Sequence, residues 1–224
     1  MTDRSFVSPA TRDRVRGLAV PIALALGRLG LTPNGLTIAG FAGTCVAAVA
    51  AGYQQWFLAG LLVLGFGIFD MFDGALARAT GRASKFGAFL DSTLDRTGEN
   101  LVLAGVAIGC ANAYYPLGVV VAVLALAFAS VVTYSRAKAE VVGLHGDVGF
   151  APREIRLVIL AAGLATTGIT GGVRASSLLS LPPPEAGGNL ALALALGVIA
   201  SLSAITVIQR ILHVKRQLEE QENQ

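Results

Sequence analysis

Two cysteines, two histidines and one tryptophan are all that 224 residues hold of those types. Cys45 and Cys110 fall inside apolar runs with no CxxC spacing, which leaves no disulfide framework and no thiolate–imidazole zinc set. His145 and His213 stand alone, without a metal-ligand neighbour. Charge is scarce as well: Asp, Glu, Lys and Arg make up 14% of the chain, where soluble domains carry roughly 25%. Only seven aspartates occur, and the net charge is +3. These shortages argue against an ordinary soluble domain and against a nucleic-acid binder with a basic face.

Apolar residues are what the chain does have, at 54% and a mean hydropathy of +0.67. They gather in six runs, 33–53, 55–78, 84–110, 114–140, 152–172 and 187–214. Each run reaches the ~20 residues that cross a bilayer core as a helix. The expected fold is therefore an all-α integral membrane protein with six transmembrane helices. Ahead of them, "RDRVRGLAVPIALALGRLG" has an apolar stretch from Leu18 to Gly27 that is too short to span. With Arg12, Arg14, Arg16 and Arg28 around it, it reads as an amphipathic helix lying in the interface. The same stretch has the outline of a secretory signal, but it leads without a break through "LTPN" into the first run. The expected division is an N-terminal segment and juxtamembrane helix over 1–32, a six-helix domain over 33–217 and a solvated tail over 218–224. "SLPPPEAGGN" at 180–189 is a loop.

Basic residues cluster before the first run, between the second and third, between the fourth and fifth, and after the sixth. Arg174 is the exception. By the positive-inside rule both termini and the two charged turns face the cytoplasm, placing the protein in the cytoplasmic (inner) membrane.

Four of the seven aspartates sit where the apolar runs are longest. Asp70 and Asp73 are three apart, Asp91 and Asp95 four apart, and both spacings stack side chains on one helix face. The turn between them makes an antiparallel helix pair, with the carboxylates at similar depth. Gly74, Ala77 and Gly87 on the same faces would let the backbones approach. Pairing with Arg78, Arg82, Lys85 and Arg96 is the plain structural alternative. An intramembrane Asp, however, costs about 2.5–3.5 kcal/mol, and four gathered together repel unless cations neutralise them. Hard oxygen donors suit Mg²⁺, Mn²⁺ or Ca²⁺.

The pattern Asp70-x2-Asp73-Gly74-x2-Ala77-Arg78-x8-Gly87-x3-Asp91-x3-Asp95 resembles the signature of the CDP-alcohol phosphotransferases. The resemblance implies transfer of a phosphatidyl or related group from a CDP-linked lipid to an alcohol, with release of CMP. It implies two Mg²⁺ or Mn²⁺ ions held by Asp70, Asp73 and Asp91. Asp95 would share one ion and act as base. Asp70, Asp73, Gly74, Ala77 and Arg78 would meet the nucleotide and its diphosphate, with Asn34 and Thr37 of "LTPNGLT" nearby. A homodimer is implied too.

A second cluster, Arg136, Lys138, Arg153, Arg156 and Arg210, is basic. Anchoring of helix ends explains any one of these. A phosphate-bearing acceptor explains why Arg136, Arg156 and Arg210 stand in apolar contexts on three different runs. Tyr134-x-Arg136-Ala137-Lys138-Ala139-Glu140-x2-Gly143-Leu144, with Gly149-Phe150 and Arg156-Leu157, is similar to the phosphatidylinositol phosphate synthase branch. That branch takes inositol 1-phosphate. Arg136 stands where lysine is usual and Lys138 where arginine is usual, so glycerol 3-phosphate remains the alternative acceptor. Diacyl and diether donors both stay open. A cation channel or transporter using the aspartates as an ion site is the reading from another class.

Overall fold

The computed structural model describes residues 20–146, 148–149, 152–172 and 186–222, and all regular structure among them is helical. The seven helices are α1 (20–28), α2 (Pro33–Gly52), α3 (Trp56–Ala79), α4 (Lys85–Asn112), α5 (Pro116–Val141), α6 (Arg153–Ile169) and α7 (Ala186–Glu222). Arg12, Arg14, Arg16 and most of the 180–189 loop lie outside the described residues.

Local chemistry accounts for the helix boundaries. Thr32 accepts the Gly35 N–H at 3.1 Å and Ser84 accepts the Gly87 N–H at 3.0 Å, capping α2 and α4. Pro33 and Pro116 take first-turn positions, where no N–H is needed. Every helix before α7 is followed by a residue of positive φ, namely Gly30, Gln54, Gly81, Tyr114, Gly143 and Gly171. After each, an N–H returns to the last turn, as Arg82 does to the Ala77 carbonyl at 2.9 Å. This is the Schellman closure. It reverses the chain within a few residues, and Gly81 takes the left-handed position without a Cβ penalty.

Among the described residues the packing falls into two compact units. One lies within Met1–Ala42 and Phe66–Asp95, the other within Gly43–Gly65 and Arg96–Gln224. In the first unit, Ala23 of α1, Leu36 of α2 and Ala75 and Leu76 of α3 form a small core. In the second, the core is built largely from small residues, including Ala47, Ala51, Ala59, Ala122, Ala125 and Ala161, interleaved with Leu103, Leu160, Leu164 and Leu196. α7 packs on α5 and α6.

Small residues matter most where α4 meets α2. A Cβ at Gly105 would fall onto the Ala48 carbonyl, and one at Gly109 onto the Ala51 carbonyl. A backbone carbonyl yields far less than a side-chain end, so this GxxxG stretch sets the approach. Gly105→Ala is expected to destabilise the protein by about 1–3 kcal/mol, seen as a lower midpoint of thermal unfolding in detergent. At Gly197 nothing lies within 4 Å of an added Cβ, so Gly197→Ala serves as the control and should not fall.

Four helices, Pro33–Gly52, Trp56–Ala79, Pro116–Val141 and the Asn189–Glu222 stretch of α7, are long and apolar enough to cross a membrane. The expected six-span count is met only in part. α6 has 17 residues, and α4 carries Lys85, Asp91, Asp95, Arg96 and Glu99 between its start and its middle. At the chain's end, 218–222 continue α7 as an exposed helix. Likewise 186–189 belong to α7 and shorten the expected loop. Cys45 and Cys110 are both free thiols.

Candidate active site

Within the first unit, α2, α3, the turn after α3 and the start of α4 enclose a cavity of about 210 Å³. Seven residues given a binding or metal role from the sequence line it: Asn34, Thr37, Asp73, Gly74, Ala77, Arg78 and Asp91. Pro33, Arg82, Ser84 and Gly87 also reach its wall. Carboxylates and guanidinium groups thus share one small volume.

Asp73 is only 5% exposed, as is Thr37. The Thr37 hydroxyl donates to Asp73 Oδ2 at 2.6 Å, a charge-assisted bond between α2 and α3. The other carboxylate oxygen accepts the Gly74 N–H. These bonds fix the carboxylate plane before any ligand arrives. Asp91 is half-buried and lines the same cavity from α4, and Asp95, also half-buried, lies one turn further along that helix. Asp70 is in α3, with its side chain outside the described residues.

The small residues do something other than bring helix backbones together at this site. A Cβ at Gly74 would stand 3.2 Å from Arg78 Nη1, so the missing side chain leaves room for the guanidinium one turn on. A Cβ at Gly87 would stand 3.1 Å from Asn34 Oδ1, so Gly87 makes room for the Asn34 amide. Both clearances serve polar groups on the cavity wall.

The basic residues are arranged differently. Arg136 is exposed and pairs with Glu140 at 2.9 Å, one turn on in α5. The Lys138 ammonium lies 5.7 Å from the Tyr134 ring centroid, and Arg153 opens α6. Arg156, 3% exposed, donates from Nε and Nη2 to the two oxygens of Glu99, each at 2.7 Å. Arg210 is 8% exposed; its Nε donates to the Val148 carbonyl at 2.9 Å and its Nη1 to the Val132 carbonyl.

Among the described residues no three His, Cys, Asp or Glu side chains gather closely enough to hold a metal ion. The donor set around the cavity still fits a hard divalent cation. Asp73 and Asp91 offer oxygens to one space, no soft ligand lines it, and Asp70 and Asp95 follow at helical spacing on the same two helices.

Residues 30–181 match the family model described as CDP-alcohol phosphatidyltransferase. The chain belongs to that family. The transferase is 40% identical over 162 residues to a phosphatidylinositol phosphate synthase of Mycobacteroides abscessus, covering 70% of this chain and 73% of the relative. It is 36% identical to an archaetidylinositol phosphate synthase of Pyrococcus horikoshii, over 93% of this chain and 96% of that one. A crystal structure of the Mycobacterium tuberculosis phosphatidylinositol phosphate synthase with manganese and citrate superposes with a TM-score of 0.74 at 34% identity, covering 88% of each chain. Another structure of that enzyme holds CDP-DAG. The transferase is thus an enzyme of phospholipid synthesis, and the channel reading falls away.

Sequence reasoning passed over Glu99 and Ser84, and took Arg82 only as a pairing partner for the aspartates. Glu99 was open to detection, since Asp91, Asp95 and Glu99 recur every fourth residue along one face of α4. Its partner could not be found that way, because Arg156 lies 57 residues on.

Proposed function

We propose that this transferase joins the phosphatidyl or related lipid phosphate of a CDP-linked lipid to inositol 1-phosphate. The acceptor hydroxyl oxygen attacks the lipid-side phosphorus of the diphosphate. A P–O bond forms there, the P–O bond to CMP breaks, and CMP leaves while the hydroxyl proton passes to a base. The cavity that gathers Asp73, Asp91 and Arg78 is the observation that carries this reading.

Asp70, Asp73 and Asp91 would hold two Mg²⁺ or Mn²⁺ ions, with Asp95 sharing one. Such ions, when bound, neutralise charge developing on the diphosphate oxygens. Asp95 is the base toward the acceptor. Arg78 pairs with the diphosphate through its planar fork, and Gly74 and Ala77 leave room for the nucleotide. Asn34 and Thr37 close that slot from α2. Arg136, Lys138, Arg153, Arg156 and Arg210 form the acceptor side and read its phosphate. The similarity to enzymes named for inositol phosphate products supports the choice of acceptor.

The same reading puts six helices through the cytoplasmic membrane, with α4 and α6 among them, and a helix that includes α1 in the interface. Both termini and the active site face the cytoplasm, and the enzyme works as a homodimer. The domain limits follow: 1–32, 33–217 and 218–224.

A panel of acceptors tests the function, with release of labelled CMP from CDP-diacylglycerol and from its diether counterpart as the signal. Inositol 1-phosphate should outcompete free inositol, glycerol 3-phosphate and serine. Glycerol 3-phosphate as the best acceptor would make the product phosphatidylglycerol phosphate. A neutral alcohol as the best would remove the phosphate-reading role from the basic residues.

Thr37→Val tests the orientation of Asp73. It keeps the shape but loses the hydroxyl that holds Oδ2, and loss of such an outer bond costs about 10–100-fold in metal affinity or activity. The Mn²⁺ concentration for half-maximal turnover should rise accordingly. An unchanged requirement would assign the hydroxyl to helix packing alone.

A further inference from the structure

Glu99 and Arg156 form a closed ion pair inside the second unit, their side chains each 4% exposed. Arg156 Nε meets one carboxylate oxygen and Nη2 the other. Fork-on-fork contact of this kind fixes both the plane and the rotation of the guanidinium. Burying two charges is costly, and apolar side chains of similar volume hold helices together as well or better. A strut between α4 and α6 therefore needs no charge, and the presence of one calls for a use. An arginine has five N–H donors, and the pair with Glu99 uses two of them along a single edge.

Arg210 is held in a related way. Its Nε meets the Val148 carbonyl and its Nη1 the Val132 carbonyl. Of the five basic residues assigned to the acceptor, these two are buried and oriented by protein oxygens. Arg136 and Lys138 stand exposed near the end of α5. Arg156 has a buried carboxylate as its partner, and that carboxylate continues the every-fourth-residue series Asp91, Asp95, Glu99 on α4.

We propose that Glu99 is a positioning residue for the transfer reaction: its carboxylate grips the Nε–Nη2 edge of Arg156 so that the Nη1 side of the guanidinium is turned toward the phosphate of the acceptor. The inference rests on the reading above that the acceptor carries a phosphate. Glutamine at 99 would fill the same space but would break the grip. Its carbonyl oxygen still accepts one N–H, while its NH₂ opposes the second donor, so the guanidinium loses its fixed plane. The same change removes one negative charge beside the basic residues. Loss of position and gain of net positive charge push acceptor binding in opposite directions, which makes the sign of the effect decisive.

The measurement is steady-state kinetics of full-length Glu99→Gln in detergent or nanodiscs, varying inositol 1-phosphate and CDP-diacylglycerol separately. Positioning predicts an acceptor KM raised roughly tenfold and a donor KM within about twofold of wild type. A carboxylate that only offsets charge predicts a lower acceptor KM. A plain structural strut predicts lower yield and heat resistance with both KM values unchanged. Either of those two outcomes overturns the proposal. If Glu99→Gln does not accumulate, Glu99→Asp tests the grip alone, because it keeps the charge and shortens the reach by one methylene. Positioning then predicts a raised acceptor KM, whereas charge offset and a plain strut both predict an unchanged one, which overturns the proposal. A wild type that prefers free inositol over its phosphate sinks the acceptor reading, and this inference with it. A wild type that prefers the phosphate while the variant's acceptor KM stays put sinks the positioning role alone.

Discussion

Asp91→Asn is expected to lower phosphatidyl transfer by on the order of 10²–10³-fold or more, the scale seen when one preorganised charge-stabilising group is removed. Asp91 lines the cavity beside Asp73 and Arg78. Asparagine matches its shape and removes its charge, so the folded yield should stay near wild type. A neutral amide is a poor ligand for a hard dication. EDTA should therefore abolish turnover of the wild-type enzyme, and Mg²⁺ or Mn²⁺ should restore it. Asp73→Asn should fall in the same range, since its amide oxygen can still accept the Gly74 N–H while its NH₂ donates to the Thr37 hydroxyl oxygen, which keeps the local fold. Direct measurement of Mn²⁺ binding should show weaker affinity in both variants. Full turnover by metal-free enzyme would end the metal reading.

Asp95→Asn should lower turnover by about 10²–10⁴-fold, the usual range for loss of a general base. Asp95 follows Asp91 by one helical turn and is half-buried, but it does not line the cavity as Asp91 does. A residue placed so can serve the incoming hydroxyl while leaving donor binding intact. Protection of the variant against heat by CDP-diacylglycerol should then match wild type, with the loss confined to turnover. Near wild-type turnover would put the base elsewhere. Equal loss of turnover and of donor binding would make Asp95 a ligand of the donor site.

The differing fates of these side chains follow from how far apart their partners lie in the chain. Asp70, Asp73, Arg78, Asp91 and Asp95 are spaced along two consecutive helices joined by a short turn. Helical periodicity and one short turn were enough to expect them on a facing helix pair, and the structure brings Asp73, Arg78 and Asp91 to one cavity. Thr37 and Asn34 needed more, because only the motif's lead-in hinted at them, and the 2.6 Å bond from Thr37 to Asp73 spans 36 positions. Gly87 was legible as a small residue that something required. That the requirement was the Asn34 amide depended on which side chain the fold brought to it.

By itself the sequence determined the helical class, the helix limits to within a few residues for α2 to α5, and a carboxylate motif of which Asp73 and Asp91 line the cavity. These rest on short-range rules: apolar run length, capping residues, left-handed turn positions and the 3.6-residue period. Only the tertiary structure decided what the basic residues do within the protein. Arg156 is held by Glu99 and Arg210 by two backbone carbonyls, through contacts that span 57 to 78 positions. A guanidinium in an apolar helix must find oxygens wherever packing supplies them, because an unpaired buried charge is far costlier than a paired one. Which oxygens those are is a property of helices packed together, and no spacing along a single helix records it.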